Sequence, residues 1–268
     1  MHKVLITATS AVAVLSIAAS SAHAQFANAI VDYDEGSNAG AFNDPTAALG
    51  EPTRTNADGA AITPFAPPSS PDEIVSIGEG GSLTVSFADP IVDNPSSVQF
   101  GIDFLIFGNA FFTAPFPFPA DPVINGVFAE GGNVEVSADG LTFFSVTGEA
   151  DGAFPTLGFS DVDPLYDIDF DGIDVPAGTV PTDFTRAVDP NLPTVGQNLS
   201  TIVDGYNGSG GGAGFDFSST GLPFIQFVRV TNPVGSTGTP EIDGFADVIP
   251  EPSTLGLIGL AALLRRKR

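Results

Sequence analysis

The chain of 268 residues carries 32 acidic side chains against eight lysines and arginines, which gives a formal net charge of −24 at pH 7. A surface with this charge repels nucleic acid and anionic lipid, so neither is an expected partner. There is no cysteine and no tryptophan, and the two histidines are His2 and His23. The region after residue 24 therefore cannot form disulfides, a Ser-His-Asp arrangement or a His/Cys zinc site, and we assign no catalytic residue.

The first 24 residues have the pattern of a secretory signal peptide. A short basic start at Met1-His2-Lys3 precedes an apolar stretch over residues 4–19. The small residues Ala22 and Ala24 then form a cleavage site before Gln25. The pattern predicts export, with an N-terminal membrane anchor as the alternative.

The central region, residues 25–248, is predicted to be one β-sandwich domain. Residues 25–249 hold 31 acids and only three cations, Arg54, Arg186 and Arg229, an excess of 28 negative charges. Most carboxylates must therefore be solvated, hydrogen-bonded or bound to metal, and such a surface attracts divalent cations. The sequence also contains 23 phenylalanines, which provide a sizeable core.

Short apolar or alternating segments separated by Gly, Pro and Asp indicate strands rather than helices. The segment 100–107 is almost continuously apolar, which predicts a central strand covered on both faces. The turn Asp139-Gly140 predicts a hairpin. Prolines predict a loop over residues 111–122, and residues 148–221 form a long, turn-rich excursion. The pattern predicts an all-β, jelly-roll-like antiparallel sandwich, with strands at 29–34, 74–77, 82–87, 100–107, 224–230 and 241–248 and a hairpin over 134–146.

The C-terminal segment, residues 249–268, combines three elements in fixed order. The triplet Pro250-Glu251-Pro252 is followed by an apolar run and then by four cations. The prolines separate the tail from the fold, the run can enter hydrocarbon, and the cations resist translocation. The run from Ser253 to Leu264 spans about 18 Å as a helix against a hydrocarbon core of about 30 Å, which favours transient membrane insertion over a stable transmembrane anchor. The terminal cations are Arg265, Arg266, Lys267 and Arg268.

This arrangement resembles the PEP-CTERM sorting signal of exported bacterial proteins. The resemblance implies recognition by the export machinery and processing by exosortase, a membrane enzyme. Processing near Pro250 and Pro252 would remove the basic end and leave a more acidic protein at the cell surface or in the extracellular matrix.

Six short motifs stand along residues 29–248: Ala47-Ala48-Leu49-Gly50, Gly80-Gly81-Ser82-Leu83-Thr84-Val85, Gly101-Ile102-Asp103-Phe104, Glu135-Val136-Ser137-Ala138-Asp139-Gly140, Phe227-Val228-Arg229-Val230 and Glu241-Ile242-Asp243-Gly244-Phe245. Their succession is similar to that of exported PEP-CTERM surface proteins, and the hairpin with the two final strands resembles the galactose-binding-like, discoidin-type jelly roll. The resemblance implies a surface or matrix module without enzymatic activity, for which an extracellular polysaccharide is a candidate partner.

One acidic run is a candidate calcium site. Asp167, Asp169 and Asp171 alternate before Gly172, as in the first half of an EF-hand loop, and Asp174 follows. The twelfth position is Gly178, where such a loop carries a bidentate Glu. Two interpretations remain: a partial calcium site completed by another loop, and an acidic solvated loop.

Two acids, Asp103 and Asp243, stand within apolar strand segments, and a buried carboxylate needs a partner. Arg229 lies in another strand and is a candidate partner for one of them. The alternatives are an ion pair or backbone hydrogen bonds at the edge of the core, and contact of all three residues with a ligand.

The sequence therefore predicts a non-enzymatic exported surface or matrix protein, with calcium and glycan as candidate ligands. A secreted carbohydrate-active enzyme that uses paired carboxylates is the alternative.

Overall fold

The computed structural model describes residues 25–249 except Phe118, Ala153, Pro164 and residues 166–174. Within these ranges the secondary structure is almost entirely β. One short helix, α1, covers Leu199–Gly205, and brief 3₁₀ turns cover Pro45–Ala48, Gln99–Gly101 and Ser218–Thr220. The strands in chain order are β1 (Ala29–Asp34), β2 (Val75–Ser76), β3 (Ser82–Val92), β4 (Phe104–Gly108), β5 (Phe111–Thr113), β6 (Gly126–Phe128), β7 (Gly131–Ser137), β8 (Phe144–Asp151), β9 (Ala213–Phe215), β10 (Phe224–Thr231) and β11 (Glu241–Asp247).

The strands form two antiparallel sheets and a separate ribbon. The larger sheet has the order β1-β3-β10-β7-β8, and the smaller has the order β2-β11-β4-β9. Strands β5 and β6 pair only with each other among the described strands. Sequence-distant strands are neighbours in both sheets, and the all-β sandwich prediction is confirmed.

The main core lies between the two sheets. In β3 the alternating residues Leu83, Val85 and Phe87 are buried, as their period of two predicts. From the smaller sheet, Phe104 stacks on Phe215 of the neighbouring strand with ring centroids 5.1 Å apart. Because both inner faces are apolar, the sheets bury a continuous layer that accounts for most of the stabilising hydrophobic contact.

Strand β4 is covered on both faces, as its continuous apolar sequence predicts. Phe104 and Ile106 belong to the main core, whereas Leu105 and Phe107 belong to a second cluster on the other face of the same sheet. That second cluster includes Phe184 from the excursion, whose ring meets Phe107 edge-on at 5.0 Å. The excursion therefore serves as a cover for the outer face of the smaller sheet.

Three parts of the sequence prediction differ from the structure. Residues 100–103, predicted as the start of the central strand, precede β4, because Gln99–Gly101 form a 3₁₀ turn in which Phe100 has a positive φ. Residues 111–113 form strand β5 where a loop was predicted, because the proline-rich part starts only at Pro115. The excursion also contains α1 and strand β9, which extends the smaller sheet beside β4. In the ranges described, none of the helices is both long and apolar enough to cross a membrane.

Candidate cation site and the exit of the tail

Asp103 lies immediately before β4 and is completely buried. Its Oδ1 accepts the backbone N–H of Asn94 at 2.6 Å, and its Oδ2 accepts the backbone N–H of Phe217 at 2.9 Å. Burial raises the pKa of Asp103 to about 6, because the charged form loses its hydration. The two N–H donors oppose this rise, while the nearby Asp216 and Asp93 add to it.

Three carboxylates meet at this point. Asp93 follows β3, Asp103 precedes β4 and Asp216 follows β9, so both sheets contribute. One oxygen of each carboxylate lies within 4.8 Å of the other two, and Asp93 and Asp216 are exposed. Carboxylate oxygens are among the ligands that calcium prefers, and a cation here would also relieve the repulsion among the three acids. We call Asp93, Asp103 and Asp216 the carboxylate cluster.

Asn94 holds the end of the sandwich together beside this cluster. Its side-chain amide donates to the carbonyl oxygens of Ile102 at 2.9 Å and Val248 at 3.0 Å. Asn94 follows β3 of the larger sheet, whereas Ile102 and Val248 flank strands of the smaller one. The backbone next to Asp103 is therefore held by buried hydrogen bonds between the two sheets.

The final described residues leave the fold at the same end. Three backbone N–H groups donate to backbone carbonyl oxygens here. Asp247 bonds to Gln25 at 2.8 Å, Val248 to Asp103 at 2.9 Å, and Ile249 to Thr185 at 3.2 Å. Gln25, the first residue after the predicted signal cleavage, is thus hydrogen-bonded to Asp247, three residues before Pro250. The N-terminal and C-terminal ends of the described chain therefore both lie at the end of the sandwich that carries the carboxylate cluster.

A family model for the PEP-CTERM protein-sorting motif matches residues 248–268. The chain carries a PEP-CTERM sorting motif. The motif indicates an exported protein that exosortase-type machinery processes, with a destination in the cell envelope or at the surface. No curated protein matches the chain significantly. Val248 is thus both the first residue of the matched motif and a buried residue of the sandwich.

Asp243 lies in β11, well removed along the strand from the PEP-CTERM junction, and is buried. Its carboxylate accepts the backbone N–H of Thr53 at 2.9 Å and the hydroxyl of the same residue at 2.7 Å. Burial raises the pKa of Asp243 to about 7. The sequence left open an ion pair, backbone hydrogen bonds or a ligand contact for these two acids. In the structure, the carboxylates of Asp103 and Asp243 both accept hydrogen bonds from backbone N–H groups.

Arg229 pairs with neither of these acids, so that part of the prediction is wrong. It reaches Glu135 on the adjacent β7, with Nη2 2.7 Å from Oε2, and its guanidinium lies 3.8 Å from the centroid of the Phe143 ring. Arg229 cannot reach the buried acids because successive side chains along a strand point to opposite faces of the sheet. Arg229 points away from the core because Val228 and Val230 point into it, whereas Asp103 and Asp243 are buried. The structure does not bring these three predicted ligand residues together.

Several predicted residues lie outside the described part of the chain. They are the calcium ligands Asp167, Asp169, Asp171 and Asp174, the cleavage-site residues Ala22 and Ala24, and the PEP-CTERM residues Pro250, Glu251, Pro252, Arg265, Arg266, Lys267 and Arg268. The calcium interpretation of residues 167–174 therefore stays a prediction.

Sequence reasoning missed Asp93, Asp216 and Asn94. Asp93 and Asn94 stand between β3 and Pro95, in a sequence pattern that is typical of an ordinary turn. Asp216 could not be placed, because β9 is a three-residue strand inside the excursion. The signal available was the repeated occurrence of an Asp at the end of an apolar strand.

An open cleft of about 640 Å³ lies at the opposite end of the sandwich from the PEP-CTERM junction. It runs between the start of β7 and the loop that connects β10 to β11. Glu130 and Glu149 line it, and so does Phe128, which is 48% exposed and stacks on Phe111 at 5.0 Å. Exposed aromatic rings and carboxylates are suited to polyhydroxylated ligands.

Proposed function

We propose that the protein is a non-enzymatic surface protein of the cell envelope. Its PEP-CTERM motif directs the acidic β-sandwich to the envelope, and exosortase removes the C-terminal tail. The observation that carries this proposal is the match over residues 248–268, directly at the last strand of a folded sandwich. The charge distribution supports it, since removal of the tail also removes four of the eight cations.

Intact-mass analysis of the protein exported by an exosortase-bearing host tests the delivery step. We expect a mature form that begins at Gln25 and lacks the residues after about Pro252. A mature form that retains Arg268 would contradict processing of the tail.

We further propose that the carboxylate cluster binds calcium. Asp93, Asp103 and Asp216 supply oxygen ligands from three chain segments, and water would complete the coordination shell. Neither Arg54 nor Arg229 neutralises them, since these arginines pair with Glu51 and Glu135. A bound cation would join the end of β3 to the ends of β4 and β9, and so would connect the two sheets.

Calorimetric titration of chelator-treated residues 25–249 with calcium tests this site. We expect binding and a rise in the melting temperature, both strongly reduced in Asp216→Asn. The control is Asp58→Asn, which changes an exposed acid elsewhere. Asp169→Asn separates the two candidate sites, because binding lost in that variant and kept in Asp216→Asn would assign calcium to residues 167–174.

A polysaccharide ligand is a second proposal, supported by the cleft beside Phe128 and by the resemblance to galactose-binding-like jelly rolls. Retention on immobilised extracellular polysaccharide should fall in Phe128→Ala and stay unchanged in Leu141→Ala, an exposed residue outside the cleft. A hydrolysis assay on the same polysaccharides tests the enzymatic alternative. Turnover that Glu130→Gln or Glu149→Gln abolishes would replace the non-enzymatic proposal.

A further inference from the structure

The junction between the fold and the sorting tail has no spacer. Val248 is 1% exposed and packs with Ile102, Leu105 and Ala246. Its N–H and carbonyl are both hydrogen-bonded, to Asp103 and Asn94, and the N–H of Ile249 is bonded to Thr185. The next residue in the sequence is Pro250, the first residue of the triplet.

This arrangement restricts how a processing enzyme can reach the tail. One common way to recognise a peptide is to bind it as an extended strand over several residues. Here the residues before Pro250 belong to the fold, and their release would expose Val248 and leave buried polar groups without partners. An enzyme that acts near Pro250 must therefore approach the sandwich itself, because the residues up to Ile249 are hydrogen-bonded within the fold.

We infer that the surface around the tail exit is a docking surface for the membrane enzyme that processes the tail, with Phe100 as its apolar anchor. The inference rests on the proposed function, in which the tail is removed. It adds that recognition extends beyond the PEP-CTERM motif onto the folded domain.

Phe100 is presented in an unusual way. Gln99, Phe100 and Gly101 have consecutive positive φ angles of 45°, 63° and 78°, a backbone conformation that non-glycine residues adopt at a cost and that concentrates at functional sites. The Phe100 side chain is 51% exposed. A large apolar side chain exposed to solvent has the character of an interface anchor.

The position of Phe100 places it beside the exit. The Oε1 of Gln99 accepts the backbone N–H of Ala187 at 3.1 Å, and Thr185, which binds Ile249, is two residues away in sequence. Phe100 shares a cavity of about 330 Å³ with Arg186 and Ala187. An enzyme bound at Pro250 would therefore face this cavity and the exposed ring.

The test compares tail removal in the full chain with and without a spacer. Full-length protein is expressed in an exosortase-bearing host, and the processed fraction is followed over time by immunoblot and intact mass. We expect Phe100→Ser to slow processing about tenfold in the natural chain. With an eight-residue Gly-Ser spacer between Ile249 and Pro250, the same substitution should have little effect, because the enzyme no longer meets the fold.

Val195→Ser is the matched control, since Val195 is 61% exposed in the loop before α1 and lines neither the cleft beside Phe128 nor the cavity beside Phe100. It should leave processing unchanged in both backgrounds. Equal processing of Phe100→Ser and the natural protein would overturn the docking surface while leaving the proposed function intact. Slow processing of Phe100→Ser in the spacer background as well would also overturn it, because the defect would then be one of folding. A natural chain whose tail is never removed would overturn both proposals.

Discussion

The side-chain amide of Asn94 donates a hydrogen bond to the carbonyl oxygen of Val248 at 3.0 Å, across 154 residues of sequence. One residue thereby links the turn after β3, in the larger sheet, to the end of β11, in the smaller sheet. Because Val248 is also the first residue of the PEP-CTERM match, this bond connects the core of the sandwich to the first residue of the sorting motif.

We predict that Asn94→Ala lowers the free energy of unfolding by about 2 kcal/mol or more. The substitution leaves the carbonyls of Ile102 and Val248 without their donor, and each unsatisfied buried group costs about 1–3 kcal/mol. Urea denaturation of residues 25–249 measures the loss. Asn133→Ala, at an exposed strand position, should change the value by less than about 0.5 kcal/mol. Equal stability of the two variants would show that Asn94 has no such role.

We also predict that the protein is more stable at mildly acidic than at neutral pH. Burial raises the pKa of Asp151 and of Asp243 to about 7, whereas an Asp in the unfolded chain has an ordinary pKa near 3.8. Between about pH 4 and pH 7 the folded protein therefore binds more protons than the unfolded chain, so stability falls as pH rises through this window. Asp161 contributes to stability in the opposite sense, because hydrogen bonds from Thr179 and Val180 lower its pKa to about 2. This stabilisation is lost only below about pH 4, outside this pH window.

Melting temperatures measured in chelator from pH 4.5 to pH 8 check this prediction. We expect a steady decrease with rising pH, and a smaller decrease in Asp243→Asn, which keeps an acceptor for Thr53 but does not titrate. A melting temperature that rises over the same range would contradict the assignment, and so would an unchanged slope in Asp243→Asn.

The strands of this fold were largely predictable because their signal is local. Alternation in β3 and the Asp-Gly turn between β7 and β8 depend only on neighbouring residues, and both features predicted the observed strands. The three-residue strands β5 and β9 carry too few residues for a periodic pattern, so only tertiary pairing defines them.

The partners of the buried acids were not predictable in the same way. Asp243 binds Thr53 at a sequence separation of 190 residues, and Phe217 reaches Asp103 across 114. The sequence showed that these acids needed partners and suggested a cation, Arg229. A backbone N–H satisfies a carboxylate equally well, but every residue except proline offers one, so composition gives no indication of which is used.

Arg54 is the cation whose loss should be most damaging. Its Nη1 donates to the carbonyl oxygens of Gly158 at 2.9 Å and Thr182 at 2.8 Å, and its guanidinium lies 4.1 Å from the centroid of the Phe184 ring. It therefore fastens the excursion to the rest of the sandwich, and Arg54→Met should cost about 2–4 kcal/mol of unfolding free energy through unsatisfied carbonyls and lost stacking. Arg54→Lys should recover little of this, because an ammonium cannot reproduce the planar fork of donors.

Arg229→Met provides the comparison. Arg229 is 31% exposed and its main partner is the half-buried Glu135, so its removal should cost less than about 1 kcal/mol. Urea denaturation gives both values, and limited proteolysis locates the change. In Arg54→Met we expect faster cleavage within residues 153–198, because the bonds that hold this segment are gone, while Arg229→Met should digest like the natural protein. Equal losses in the two variants would mean that Arg54 contributes as an ordinary surface charge and that apolar contacts such as Phe184 with Phe107 hold the excursion by themselves.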